Sequence, residues 1–187
     1  MRGVDVGARW TDVASYLEQR LHDHFVPFLD LQYLYGLARA GKQSAVTEML
    51  ASLEDRAEQA KPFDREAWAG CAVPAAHGLA AHARGDFAEA ARLLGQAMPH
   101  LQPIGGSIAQ RALFGAIHLD GLIRSGWNDA AVKILQADER ERPTVPSTKR
   151  ALADLYRKLG RTEQAMTADY QAGQLARQYR TARGAAA

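Results

Sequence analysis

The chain has 187 residues, enough for one domain with a sizeable core, and its 47% hydrophobic and 24% charged residues are ordinary for a globular protein. The net charge of +2 gives no indication of nucleic-acid binding, and the single cysteine, Cys71, excludes an internal disulfide. The most apolar run, residues 68–83, is too short and too weakly hydrophobic to span a bilayer. We therefore expect a cytoplasmic protein with no nucleic-acid or membrane partner.

Helical periodicity runs through nearly the whole chain and predicts an all-α fold. The composition agrees, because good helix formers such as Ala, Leu, Arg, Glu and Gln are abundant whereas Val, Ile and Thr are sparse. Pro74 interrupts the fourth predicted helix and is expected either to kink it or to begin a shorter one. The predicted helices cover about residues 10–21, 28–38, 46–53, 65–84, 87–101, 108–125, 131–135, 152–156 and 162–180, and residues 184–187 are expected to fray.

The main organising signal is a helix, glycine turn, helix pattern that occurs four times. The turn glycines are Gly41, Gly85, Gly126 and Gly160, which are separated by 44, 41 and 34 residues. The last separation equals the period of the tetratricopeptide repeat, and the other two are longer. This pattern predicts one domain over residues 1–187, a tetratricopeptide-like right-handed superhelix of about four helix-turn-helix pairs. An additional N-terminal helix and a long C-terminal capping helix complete the prediction. The alternative is an ordinary helical bundle in which the glycine turns coincide by chance.

The positions around these glycines repeat as well. Five residues after each glycine stands Val46, Ala90, Ala131 or Ala165, where a small side chain would let the two helices of a pair approach closely. Nine residues after the first three glycines stand leucines that would pack on the next repeat.

Three stretches of the chain carry a resemblance to one particular family. They are HFVPFLDLQYLYGLARAG at 24–41, GGSIAQRALF at 105–114 and ERERPTVPSTKR at 139–150. Together they resemble the C-terminal half of the tetratricopeptide repeat protein 38 family. The resemblance covers most of this chain but about half of a typical member, so the chain is either a short relative or part of something longer. It implies a helical repeat fold and no established chemistry, and Ile108 and Ala112 depart from the family pattern.

The candidates for catalysis and metal binding are weak. His22, His24 and Asp30 have the composition of a metal site, but two histidines two residues apart point to different faces if the segment is helical. Cys71 has no evident base beside it and is expected to be a buried small hydrophobic residue. No serine-nucleophile elbow, Walker loop or dinucleotide fingerprint occurs. We therefore predict a protein that is not an enzyme and has no cofactor or metal.

The first helix of each pair is predicted to line a concave groove for a partner. This groove would be apolar at one end and basic at the other, which suits a protein or peptide partner with an apolar and an acidic portion. The alternative is that its arginines are solvated or pair with Asp120 and Asp154. The predicted groove residues are Tyr35, Arg39, Leu79, His82, Asp120, Arg124, Arg150, Asp154, Arg157 and Lys158.

A glycine-rich loop before the sixth predicted helix is the best candidate for a small-ligand site. Its residues are Gly105, Gly106, Ser107, Gln110 and Arg111, and free backbone N–H groups at a helix start attract anions. The alternative is a tight turn followed by a capping box between Ser107 and Gln110.

Three functions follow from these features. The favoured one is a non-catalytic protein–protein interaction scaffold that binds a partner segment in the groove. The second is self-association, possible as a homodimer, through the N-terminal aromatic residues Trp10, Tyr16, Phe25 and Phe28. The third is the accessory half of an enzyme that uses the 105–111 loop.

Overall fold

The structure is a computed structural model that describes residues 7–184, with side chains to residue 181. This part of the chain contains no β-strand, as the periodicity predicted. A π-helix at Glu66–Ala72 and two 3₁₀ turns at Met98–His100 and Gln102–Ile104 accompany the α-helices. The α-helices are α1 Arg9–Glu18, α2 Pro27–Arg39, α3 Gln43–Glu58, α4 Val73–Arg84, α5 Phe87–Ala97, α6 Ile108–Arg124, α7 Asn128–Glu141, α8 Pro146–Lys158 and α9 Thr162–Gly184.

The chain divides into two compact units, Met1–Ser125 and Gly126–Ala187. In the first unit, α2 packs against α1, α3 and α4, while α4 also packs against α3 and α5, and α5 packs against α6. In the second unit, α8 packs against both α7 and α9. Within each unit, helices therefore contact mainly their near neighbours in the sequence.

The four repeat glycines all lie in turns, which confirms the predicted bends. Gly41, Gly85, Gly126 and Gly160 have φ angles of 73°, 85°, 83° and 70°, in the left-handed region that favours glycine. Each one follows a helix and precedes the next within a few residues. Each glycine ends one helix, and within the units the helix that follows Gly41, Gly85 or Gly160 packs against the helix before it.

The small residues five positions after the glycines are buried. Val46, Ala90, Ala131 and Ala165 are all buried, with 2% or less of each residue exposed. Of the leucines nine residues after the glycines, Leu94 and Leu135 are buried and Leu50 is partly buried.

Each unit has its own buried apolar residues. Leu79 is fully buried in the core of the first unit, which corrects its prediction as a groove residue because it offers no surface to a partner. The largest buried side chains of the first unit are Leu31, Leu34, Leu37, Met49, Leu53, Leu79, Leu94, Ile104, Phe114 and Ile117. In the second unit they are Leu152 and Leu155, beside Leu135 and Tyr156.

The structure shows how the chain accommodates Pro74 and how far α9 extends. Pro74 lies in the first turn of α4, directly after the π-helix, in which the Val73 N–H donates to the Trp68 carbonyl five residues earlier. Proline is tolerated there because a first-turn residue needs no N–H. The α9 helix extends to Gly184, and residues 185–187 of the tail predicted to fray lie outside the described residues. No helix between residues 7 and 184 has the length and apolar character needed to cross a membrane.

Candidate functional site

Three predicted groove residues from three helices of the first unit form one hydrogen-bonded chain. His82 on α4 lies 2.9 Å from the Asp120 carboxylate through Nε2 and 3.1 Å from the Tyr35 hydroxyl through Nδ1. Asp120 and Tyr35 lie 38 and 47 positions from His82 in the sequence, so only helix packing brings the three residues together. His82 itself is 3% exposed, whereas Asp120 and Tyr35 reach the surface in part.

The direction of each hydrogen bond follows from which groups carry hydrogens. The Asp120 carboxylate is an acceptor, so His82 donates through Nε2–H, and its free Nδ1 accepts the Tyr35 hydroxyl hydrogen. Burial lowers the pKa of His82 despite the hydrogen bond to Asp120, so the ring stays neutral at physiological pH. Burial also raises the pKa of Tyr35, with the charge of Asp120 adding to the rise and Arg39 opposing it.

Aromatic rings and arginines surround this chain. The Phe87 ring meets the His82 ring edge to face at 5.4 Å between centroids, and the Arg124 guanidinium lies 3.8 Å above the Phe87 centroid. The Arg39 guanidinium lies 5.9 Å from the centroid of Trp10. Both arginines are exposed, and neither forms an ion pair within the described part of the chain. Two exposed cations, Arg39 and Arg124, therefore border the buried hydrogen-bonded network.

A cavity of about 190 Å³ opens beside Tyr35. Leu31 and Phe114 are buried and form its apolar walls, while Leu113 is 41% exposed. This volume is below the roughly 300 Å³ at which pockets for cofactors and drug-sized ligands begin. The size suits a single apolar side chain. The lining is completed by Trp10, Gln32, Gly36 and Ile117 beside Tyr35.

The basic groove residues of the second unit are all exposed, but they differ in their partners. Arg157 pairs with Asp154 at 2.6 Å and also with Asp169, which is the pairing that the alternative prediction expected for Asp154. Arg150 and Lys158 have no ion pair among the described residues. The same alternative expected Asp120 to pair with arginine, whereas it binds His82.

The 105–111 loop uses most of its polar groups internally. Ser107 and Gln110 form the predicted capping box, in which the Ser107 N–H donates to the Gln110 side chain and the Gln110 N–H donates to the Ser107 hydroxyl. Arg111 donates to the carbonyl of Gly105 at 3.1 Å and to that of Gly106. The groups named as an anion site are therefore engaged with each other, and binding of an anion there stays a prediction.

Cys71 is not placed to act as a nucleophile. Burial raises the pKa of the Cys71 thiol to about 12, with the charge of Glu66 adding to the rise, so the thiolate is strongly disfavoured. Cys71 is fully buried, as expected of a small hydrophobic residue. No group of three or more His, Cys, Asp or Glu side chains that would hold a metal occurs between residues 7 and 184.

The cavity has no signal in the sequence. Its lining includes Trp10, which was predicted for self-association, and Gln32, Leu113 and Phe114, which were predicted for no site. Their shared location depends on α1, α2 and α6 meeting, and helical periodicity within one helix carries no signal for that.

No protein-family model matches the chain, and no solved structure matches it.

Proposed function

We propose that this chain is a tetratricopeptide-like repeat protein, related to the tetratricopeptide repeat protein 38 family, that binds a segment of a protein partner. Two features support the superhelical arrangement: packing between sequence neighbours and left-handed glycines that close α2, α4, α6 and α8. Helical repeats stack in this way because one pair alone leaves its apolar face uncovered.

The cavity beside Tyr35 is the single observation that carries the proposal. It lies among α1, α2 and α6, next to a hydrogen-bonded network that fixes the Tyr35 ring. A pre-formed pocket lowers the cost of ordering the site when a partner binds. We therefore assign the cavity to one apolar anchor side chain of the partner, with Leu113 and Trp10 at its border.

The second feature of the proposed binding surface is the positive charge beside the cavity. Arg39 and Arg124 lie exposed around the network, and Asp120 is its one carboxylate within the described part of the chain. Two cations against one anion leave a surplus positive charge near the anchor pocket. The partner segment proposed here accordingly has an apolar anchor close to acidic residues, whose carboxylates meet the guanidinium groups.

Selection from a displayed random peptide library tests this function. The wild-type protein is expected to enrich peptides in which an apolar residue neighbours Asp or Glu. Arg124→Glu should reverse the preference for acidic residues, and Leu113→Asp should remove the preference for the apolar anchor. Lys133→Glu, the same charge reversal at an exposed position of the second unit, is the matched control and should leave the enriched motif unchanged.

Two results would contradict the proposal. One is that the wild-type protein enriches no common motif. The other is that Lys133→Glu alters the motif as much as Arg124→Glu does, because the preference would then reflect overall charge and not this surface.

Self-association remains a second candidate because one aromatic side chain is strongly exposed. Phe25 is 80% exposed and Tyr16 is 52% exposed. Of the other two predicted aromatics, Trp10 is partly buried, and Phe28 is buried against Phe114 and beside Gly106. Sedimentation velocity over a hundredfold concentration range tests this function: a dimer that Phe25→Ser dissociates would support it, and a monomer throughout would refute it.

A further inference from the structure

The loop between α1 and α2 carries a second chain of polar side chains, separate from the proposed binding surface. The Asp30 carboxylate lies 3.3 Å from His24 Nδ1, and His24 Nε2 lies 2.6 Å from the hydroxyl oxygen of Ser52 on α3. Asp30 is 1% exposed, whereas Ser52 is half-buried and reaches the surface. A buried carboxylate, an imidazole and a hydroxyl in this order form the arrangement that activates a serine as a nucleophile.

A second histidine approaches the same hydroxyl from the opposite end of the chain. His22 Nδ1 lies 2.8 Å from the Ser52 oxygen, and His22 Nε2 lies 2.9 Å from Glu48. His22 and His24 therefore share one hydroxyl, whose single hydrogen can be donated to only one of the two imidazoles at a time.

The backbone and its neighbours hold His24 in place. His24 has φ 46°, a left-handed conformation that residues other than glycine rarely adopt. The edge of the Trp68 ring meets the imidazole, with 5.8 Å between centroids. The second oxygen of Asp30 is buried without a hydrogen-bond partner in the described part of the chain, so His24 is the group that orients this carboxylate.

The loop conformation of this segment changes where the His22 and His24 side chains are expected to point. His22 and His24 were expected to point apart if their segment were helical, but α1 ends at Glu18 and α2 begins at Pro27. In the intervening loop, both side chains turn toward the Ser52 hydroxyl. Sequence spacing alone does not show this convergence, because Ser52 lies 28 residues beyond His24.

We propose that Ser52 is a nucleophile toward acyl and phosphonyl groups, with His24 as its general base and Asp30 as the positioning residue. The Ser52 oxygen forms a bond to the carbonyl carbon of an ester while its proton passes to His24 Nε2. The bond to the alcohol oxygen then breaks, and the leaving alcohol takes that proton. Water releases the acid from the acylated serine in the same manner, so the net reaction consumes one ester and one water.

The surroundings of Ser52 define the class of substrate. Ser52 lies inside α3, whose backbone N–H groups are used in helix hydrogen bonds, so a backbone oxyanion hole is missing there. His22 contacts the attacking Ser52 oxygen itself, so it is not placed as a donor to a substrate carbonyl oxygen. Since one oxyanion donor contributes about 10²–10³-fold in rate, a site without backbone donors favours substrates with good leaving groups. Activated esters and fluorophosphonates are such substrates.

Labelling of the full chain with a biotinylated fluorophosphonate tests the proposal. The serine oxygen displaces fluoride from phosphorus, and the adduct is located by mass spectrometry. Cleavage after Lys42 and Arg56 gives a peptide that contains both Ser44 and Ser52, so Ser44, exposed on the same helix, is an internal control. We expect the adduct on Ser52, its loss in Ser52→Ala, and its retention in Ser44→Ala.

The histidine variants identify the base. His24→Asn should slow labelling by about 10²-fold or more, the usual contribution of a general base, whereas His22→Asn should slow it by less than tenfold. Circular dichroism establishes that each variant is folded. The proposal is overturned if the folded wild-type protein shows no adduct on Ser52, if Ser44 is labelled equally, or if folded His24→Asn is labelled at the wild-type rate. If His24→Asn does not fold, the relative labelling of Ser44 and Ser52 in the wild-type protein still tests the proposal.

Discussion

Gly78 of α4 lies against Leu94 of α5 so closely that no side chain fits between them. A Cβ atom on Gly78 would come within 2.8 Å of Leu94 Cγ and 3.0 Å of its backbone nitrogen. The α4 and α5 helices therefore approach each other here at backbone range.

Gly78→Ala is therefore expected to destabilise the protein. Inserting a methyl group into this contact forces the helices apart, at a cost of about 1–3 kcal/mol. Gly115→Ala is the matched control, since Gly115 is also helical but has nothing within 4 Å of its Cβ position. It should stabilise the protein by roughly 0.5–1 kcal/mol, because alanine is the better helix former. Urea unfolding of both variants measures the difference, and equal effects would disprove the close-contact explanation.

Ser107→Ala is expected to weaken the start of α6. The substitution removes the hydroxyl that accepts the Gln110 N–H, at a typical cost of about 1 kcal/mol. Ser147→Ala serves as the control, because Ser147 is exposed in the first turn of α8 and makes no side-chain cap. Thermal unfolding followed by circular dichroism compares the two. A Ser147→Ala variant that loses as much stability as Ser107→Ala would argue against the capping box.

The stability of the fold should fall in mild acid because of His82. Burial lowers the pKa of His82 below that of a free histidine, about 6.5, so between these two values the unfolded chain binds a proton that the folded chain does not. The free energy of unfolding therefore decreases as pH falls below about 6.5 and levels off below the folded pKa. His118, whose pKa is also lowered by burial, acts in the same direction.

Melting temperatures measured between pH 7.5 and pH 5 test this expectation. His82→Gln should show a smaller decrease across that range than the wild-type protein, because one of the two contributing histidines is gone. The groups that face His82 are Tyr35, Asp120, Arg124 and Arg39, and all of them are unchanged in the variant. An identical decrease in both proteins would show that His82 does not contribute.

Thr148 is expected to stabilise the packing of α8 against α7 in the second unit. Its buried hydroxyl donates to the Asp138 carboxylate at 2.7 Å. Burial opposes the ionisation of Asp138, but hydrogen bonds from Arg142 and Thr148 outweigh it and hold the pKa of Asp138 below its usual value. Thr148→Val removes one of these donors and should cost about 1–3 kcal/mol. Thr144→Val, at an exposed position, should change the unfolding free energy by less than about 0.5 kcal/mol.

The sequence by itself determined that the described chain is helical and where the glycine bends between helices fall. Glycines at 41, 85, 126 and 160 adopt left-handed turns because the preference is a property of the residue and needs no distant partner. The burial of Val46, Ala90 and Ala131 follows from helical periodicity in the same way. The capping box at Ser107 spans three residues and was likewise visible in the sequence.

Tertiary structure alone decided where polar groups meet. Leu79 occupies the core although its spacing suggested a groove, because spacing specifies a face of a helix but not the neighbour that covers it. Tyr35 meets His82, and His24 meets Ser52, across 47 and 28 residues. Such contacts depend on the crossing of separate helices and on the path of the loop at residues 19–26, which the short-range preferences of a sequence do not specify.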